Sequence, residues 1–269
     1  DFSDASNRAF AHALAIALFR QTELTILNVG EDSEDDIAWS SFPQVREILE
    51  RWNLLEPGST RSAVYHDLNV EVRKIAVRSQ NPIRATVEFL DQQPHDLVVI
   101  ATEGSKGRKD WLHRSKAEGI ARRSGAMTLF VPSRSHRGLV TLENGDLNLR
   151  NILLPIDGAI DFKSAIEFSC RMAEIIGDGD VVITLLHVGE QMPPIPKLPK
   201  GSGWTWQTAL RQGEPVGSML AAAEDLNADL IVMTTNGRDT LNQALQGSTT
   251  ERVLRRAKCP ILAVPDRKY

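Results

Sequence analysis

The sequence has only two cysteines in 269 residues, Cys170 and Cys259. Two thiols cannot build a disulfide framework or, alone, a four-ligand zinc site. No apolar run nears the ~18 residues of a membrane span; Leu97–Ala101 is among the longest. Positive charge is not in excess either. Thirty-one Lys and Arg stand against 35 Asp and Glu, for a net charge of −4 and a pI near 5.9. That balance argues against a dedicated nucleic-acid binder. Catalytic patterns are missing as well: there is no Gly-x-Ser-x-Gly elbow and no Gly-x-x-x-x-Gly-Lys-Ser/Thr phosphate loop. The six histidines, His12, His66, His95, His113, His136 and His187, show neither metal-ligand spacing nor the HExxH pattern. His187 sits in an apolar run and reads as a core or rim residue. Cys170, in a helical pattern, and Cys259, before Pro260, read as buried packing residues. No secretory leader is visible, so a reducing cytoplasm is expected.

What is present is an ordinary globular composition, 42% hydrophobic and 25% charged, on a chain long enough for two domains of about 130 residues. It also repeats itself. Asp96–Gly104 matches Asp229–Gly237, 133 residues on, and at that offset Pro82, Ser115, Glu118, Arg122 and Arg123 meet Pro215, Ser248, Glu251, Arg255 and Arg256. Leu129, Val131 and Pro132 then meet Leu262, Val264 and Pro265. The front parts match after small shifts: Asn7–Ala11 with Lys163–Glu167, and Leu27–Glu31 with Leu186–Glu190. Between Gly30 and Pro82 the first copy has 52 positions where the second has 26. This insert, about residues 31–69, begins with an acidic run and contains Val45–Trp52, which has helical spacing of apolar residues.

Each copy alternates strand and helix. In the second, Asn151–Asp157, Val181–Val188, Trp204–Leu210, Leu230–Thr234 and Ile261–Val264 read as strands. Periodic segments starting at Ala165, Pro215 and Thr249 read as helices, the first closed by Gly177. This order implies a parallel sheet covered on both faces by right-handed crossovers. The predicted fold class is α/β, with two doubly wound parallel domains. Domain 1 covers residues 1–132, a connection 133–149, and domain 2 residues 150–269. The first helix begins within a few residues of Asp1, so domain 1 lacks its first strand here, and residues before Asp1 are expected to supply it. Pro193–Pro199 is expected to be a surface loop.

In an open parallel sheet, ligands bind beyond the carboxyl ends of the strands, where the strand order reverses. In domain 2 that rim carries Asp157, then Thr234-Thr235-Asn236-Gly237, then Gly247-Ser248-Thr249-Thr250 before a helix. Glycine admits close backbone approach and a helix start offers free N–H groups, a combination suited to phosphate. The competing reading is that Ser248 or Thr249 merely caps the helix. In domain 1, Lys106, Arg108, Lys109, Arg114 and Lys116 surround Trp111 and His113. They read either as an anionic contact or as a solvated loop balancing the acidic insert.

The pattern Gly-x-x-Gly, nine residues, then Gly-Ser or Gly-Thr resembles the nucleotide-binding signature of the universal stress protein family. Domain 2 reads Thr234-x-x-Gly237, nine residues, Gly247-Ser248, followed by a tail, Glu251–Val264, that looks like the family's ending. The resemblance implies a tandem protein of five-stranded domains. It would place Asp157 near ribose or metal, Gly237 near ribose and phosphate, and Gly247, Ser248 and Thr249 around the phosphates of ATP or AMP with Mg²⁺. Two departures matter. Thr234 replaces the first motif glycine, and domain 1 reads Ala101-x-x-Gly104, nine residues, Arg114-Ser115, so Arg114 stands where a phosphate-turn glycine is expected. Domain 1 is therefore not expected to bind ATP, and domain 2 keeps at most a partial site.

The resemblance also implies that strands 128–131 and 261–264 meet as an intrachain pseudo-dimer, with a homodimer of whole chains an open further step. Three functional readings follow. One is a stress-response interaction protein with partners unknown and no catalytic residues. The second is an ATP- or AMP-dependent switch with slow hydrolysis. The third is a carrier of another small molecule in a crevice opened by the insert. Membranes and nucleic acid are not expected partners.

Overall fold

Short apolar runs followed by amphipathic stretches fold as strands crossed by helices. The computed structural model describes residues 3–31, 39–102, 116–133, 139–158, 161–177, 179–235 and 249–265. The first half runs α1 (Asp4–Arg20), β1 (Leu24–Gly30), α2 (Val45–Arg51), α3 (Ala63–Leu68), β2 (Val72–Arg78), α4 (Pro82–Gln92), β3 (Val98–Thr102), α5 (Lys116–Ser124) and β4 (Thr128–Pro132). The second runs β5 (Asn151–Pro155), α6 (Lys163–Ile176), β6 (Val181–Val188), β7 (Trp204–Arg211), α7 (Pro215–Asp225), β8 (Leu230–Thr235), α8 (Thr249–Leu254) and β9 (Ile261–Pro265).

The repeat extends to the helix caps. Asn81 and Glu214 lie 133 residues apart, each before a proline that begins a helix. The Asn81 side chain accepts from the Arg84 N–H at 3.1 Å, and the Glu214 carboxylate from those of Val216 and Gly217. Proline costs nothing at a first turn, where its N–H would be unpaired anyway, and the side-chain oxygen satisfies a free donor.

Seven strands form one sheet in the order β3-β4-β9-β8-β5-β6-β7, and β1 and β2 form a separate parallel pair. Neighbours in the large sheet are parallel except at the seam, where β4 lies antiparallel to β9 with Thr128 opposite Ala263, Leu129 opposite Leu262 and Phe130 opposite Ile261. All residues of β4 and β9 are buried. The sequence expectation of these two strands meeting is thus seen as direct pairing. One hydrophobic core unites residues of α1, α6 and one set of strand side chains; a second gathers α5, α7, α8 and another set.

Two segments differ from their sequence reading. The connection 133–149 looked polar and aperiodic, yet Leu139, Val140 and Leu149 are buried, and Val140 bridges antiparallel to Leu147. The insert holds this small hairpin: α2 appears as expected, and Trp52, just beyond it and 3% exposed, donates its indole N–H to the Leu142 carbonyl at 2.9 Å. Gly145 turns the hairpin at φ +78°, and a Cβ there would stand 2.4 Å from the Trp52 ring. The Pro193–Pro199 loop forms no helix or strand. It is nonetheless anchored, because Met192, Ile195 and Leu198 pack on the core and Trp206 donates to the Pro199 carbonyl at 2.9 Å. Gly177 does close α6, but at φ −69° and not in the left-handed form; it is needed because a Cβ would meet the Ala173 carbonyl oxygen at 2.3 Å. Both cysteines are buried, as expected.

Candidate functional site

β5 is where the strand order reverses, with β6 and β7 on one side and β8 and β9 on the other. Its pairing with β6 runs from Asn151 opposite Val182 to Pro155 opposite Leu186, and β8 pairs with β9 from Ile231 to Thr235. Between β5 and β8 there are just two partner pairs, Ile152 opposite Leu230 and Leu153 opposite Ile231. The sheet therefore opens toward its carboxyl end between β5 and β8. A crevice at such a reversal is the general ligand position of open α/β sheets.

On one wall, Ile156 continues β5, its N–H donating to the Leu186 carbonyl at 2.8 Å, and leaves Asp157 and Gly158 exposed. The His187 ring Nδ1 lies 3.0 Å from the Ile156 carbonyl, which accepts its proton and fixes the peptide before Asp157. The proline loop closes on this wall, where a Cβ at Gly158 would lie 3.6 Å from that of Pro193. On the other wall, the Thr234 hydroxyl is buried and has no hydrogen-bond partner. Its neighbour Thr235 donates to the Val264 carbonyl at 3.3 Å. A buried unpaired hydroxyl costs about 1–3 kcal/mol, a penalty that a ligand acceptor or donor would remove.

Of the sequence-predicted site residues, Asp157 lies two residues past β5, Thr234 is the penultimate residue of β8, and Thr249 begins α8. Gly237, Gly247 and Ser248 lie outside the described residues, as do the acidic run Glu31–Asp36 beyond Glu31 and the basic stretch from Lys106 to Ser115. Lys116 opens α5. The role of His187 in holding the Ile156–Asp157 peptide was not legible, since it depends on a carbonyl 31 residues away. Around Asp157 and Thr234 the donor set is one exposed carboxylate and one hydroxyl. Magnesium is commonly held by one or two carboxylates together with substrate phosphates, and Asp157 is the single carboxylate of this set. Among the described residues no group of three or more His, Cys, Asp or Glu is placed to hold a metal alone. No helix among them is long and apolar enough to cross a membrane.

The fold and its crevice define a tandem, doubly wound α/β protein. The profile of the universal stress protein family matches residues 1–132 and 197–265, three quarters of the sequence, and the chain belongs to that family. It is 37% identical over 75 residues to a universal stress protein of Methanocaldococcus jannaschii, a stretch covering 28% of this chain and 44% of that relative. It is 25% identical over 151 residues to one of Synechocystis, covering 48% of this chain and 94% of that one. A universal stress protein structure from Archaeoglobus fulgidus superposes with a TM-score of 0.59 at 18% identity, covering 98% of this chain and 94% of the other.

Proposed function

We propose that this chain is a stress-response binding protein that works through protein partners and keeps at most one adenine-nucleotide site, the β5–β8 crevice of its second half. The observation that carries this reading is the parting of β5 from β8 after Leu153 and Ile231, with Asp157 and Thr234 at the two lips. The domain division that goes with it is residues 1–132 and 150–269. In the first half no described strand flanks β3 opposite β4, and Arg114 stands where the phosphate-turn glycine is expected. Thr234 adds a branched side chain where the motif has glycine, and that narrows the approach of ribose or phosphate.

A second reading, an ATP- or AMP-dependent switch, draws support from the same Thr234. Its buried hydroxyl lacks a partner, and a nucleotide oxygen would supply one. Calorimetric titration of ATP and of AMP, with magnesium, into wild type, Thr234→Gly and Ser248→Arg separates the two. Binding gained or strengthened at least tenfold in Thr234→Gly, with none in wild type, supports an interaction protein on a narrowed site. Micromolar binding to wild type that Ser248→Arg abolishes supports the switch, and hydrolysis is then assayed. No binding to any of the three overturns the assignment of the crevice to nucleotides.

A further inference from the structure

β6 and β7 run parallel, so the fifteen residues between them, 189–203, must carry the chain back along the sheet. Each strand has eight residues and spans about 26 Å. Such a crossover is usually a helix. At ~1.5 Å per residue a helix would consume the whole connection and leave nothing for the turns. Polyproline II backbone rises ~3.1 Å per residue and covers the distance in about eight. The sequence selects the second solution. Four prolines, Pro193, Pro194, Pro196 and Pro199, fall within seven residues. Each fixes its own φ at about −65° and pushes the residue before it to extended backbone. From Met192 to Pro199 only Lys197 escapes both constraints.

Burial follows a three-residue turn. Met192, Ile195 and Leu198 pack on the core. Pro194, Lys197 and Lys200 are exposed, and of the remaining set Pro193 and Pro196 are half-buried and Pro199 is exposed. Three edges with a spacing of three are what three residues per turn produce. One edge is taken up by the protein's own core. The other two set a proline beside its successor on every turn: Pro193 with Pro194, Pro196 with Lys197, Pro199 with Lys200. The Trp206 indole N–H holds the Pro199 carbonyl, so the end of the segment is fixed as well as its inner edge. Among the described residues neither lysine has an acidic partner.

We propose that residues 193–200 are a partner-docking surface, and that the partner is a protein module that reads polyproline II through an aromatic-lined groove with an acidic rim. The proposal rests on the reading of a protein that works through partners and names the partner's chemistry. Such a groove covers one side of the proline-rich segment, so the edge held by the core is the one docking does not need. Lys197 and Lys200 supply the charge that meets an acidic rim. A segment already held straight on the protein surface also loses little freedom on docking.

The test titrates an SH3 domain with an acidic specificity pocket, and separately a WW domain, into the full isotope-labelled chain and follows its amide resonances. At least one domain is expected to bind, shifting the amides of Ile195, Lys197, Leu198 and Lys200, and to bind the chain more tightly than a free peptide of residues 191–201. Pro196→Ala, and separately Lys197→Glu with Lys200→Glu, are expected to weaken binding by about tenfold or more. Both lysines are exposed, so the second variant keeps its fold. Binding by neither domain, binding that either variant leaves unchanged, or binding to the free peptide alone overturns the proposal. ATP and AMP titrations are expected to give the wild-type result in both variants, so the docking surface and the crevice can each fail while the other stands.

Discussion

Arg255 reaches across the seam to Glu118, its Nε lying 3.4 Å from the Glu118 carboxylate, and so joins residues 137 positions apart. Arg255 also pairs with Glu251 one helical turn before it. The four positions are two copies of one pattern: Glu118 and Arg122 recur as Glu251 and Arg255. An acid of the first half thus meets an arginine of the second beside the β4–β9 pairing. The Glu118 side chain is 9% exposed, and burial pushes its carboxyl above the usual range even though Arg255 pulls the other way. Removing Arg255 leaves the buried Glu118 without this partner, whereas Arg255, less buried, keeps Glu251 when Glu118 is replaced. A double-mutant cycle of Glu118→Gln and Arg255→Met, followed by urea unfolding, is expected to give a coupling of about 1–2 kcal/mol. Coupling near zero would mean the seam is held by its strands alone.

His12 makes stability depend on acid. It is 1% exposed on α1; its Nδ1 lies 2.8 Å from the Arg8 carbonyl, and its Nε2 is buried without a partner. Burial, with the nearby Arg8 charge adding to it, lowers its pKa from 6.5 to about 4, against a smaller upward pull from the Arg8 carbonyl. The folded chain therefore binds this proton less readily than the unfolded chain. Its contribution is complete above pH 6.5 and is lost as pH falls from 6.5 toward 4, amounting to about 3 kcal/mol at most. Thermal unfolding of His12→Leu across pH 4–7 is expected to lose this component of the slope; an unchanged slope would assign it to the carboxylates.

The Trp52 clamp predicts that a turn residue governs the insert. Gly145→Ala meets both a positive φ and the indole ring, and is expected to cost about 1–3 kcal/mol. Trp52→Ala removes a buried ring and its hydrogen bond, a loss of about 3–5 kcal/mol. Urea unfolding measures both. The double variant should cost much less than the sum, because each change releases the same contact.

The thiols should be silent in the folded protein. Burial, assisted by the Glu174 and Glu167 charges, pushes the Cys170 thiol up to about 11, and Cys259 is 5% exposed. At pH 8 the Cys170 thiolate fraction is on the order of one in a thousand. A colorimetric thiol reagent is expected to titrate no thiol within minutes in buffer and two in denaturant. Fast labelling of either cysteine in buffer would show local opening of α6 or of the approach to β9.

The strands of the second half were legible because each is a local apolar run and the repeat doubles the observation, whereas the seam was expected from the family resemblance. Leu129 and Leu262, equivalent in sequence, lie opposite each other in the sheet. The positions of Asp157 just past β5 and Thr234 near the end of β8 were legible because both lie at the ends of apolar runs. What was not legible depends on distant partners. Nothing near Trp52 announces a carbonyl 90 residues away, and Leu139, Val140 and Leu149 are spaced like any connection until Trp52 and the core cover them. Gly177 was found for a partly wrong reason, since its need arises from the Val181 side chain and the Ala173 carbonyl and not from its own dihedral angle.

The place of β9 in the sheet has a consequence for synthesis. Of the described strands it comes last in the chain, yet it stands third in the seven-stranded order, between β4 and β8. Until Pro265 clears the ribosome, those two strands are open edges on a nascent chain, and each is apolar throughout most of its length. The halves can take shape one after the other, but the large sheet closes only once β9 has been made. A pause before β9 is made, or a chain stopped before Ile261, would leave two adhesive edges facing each other with no strand to join them.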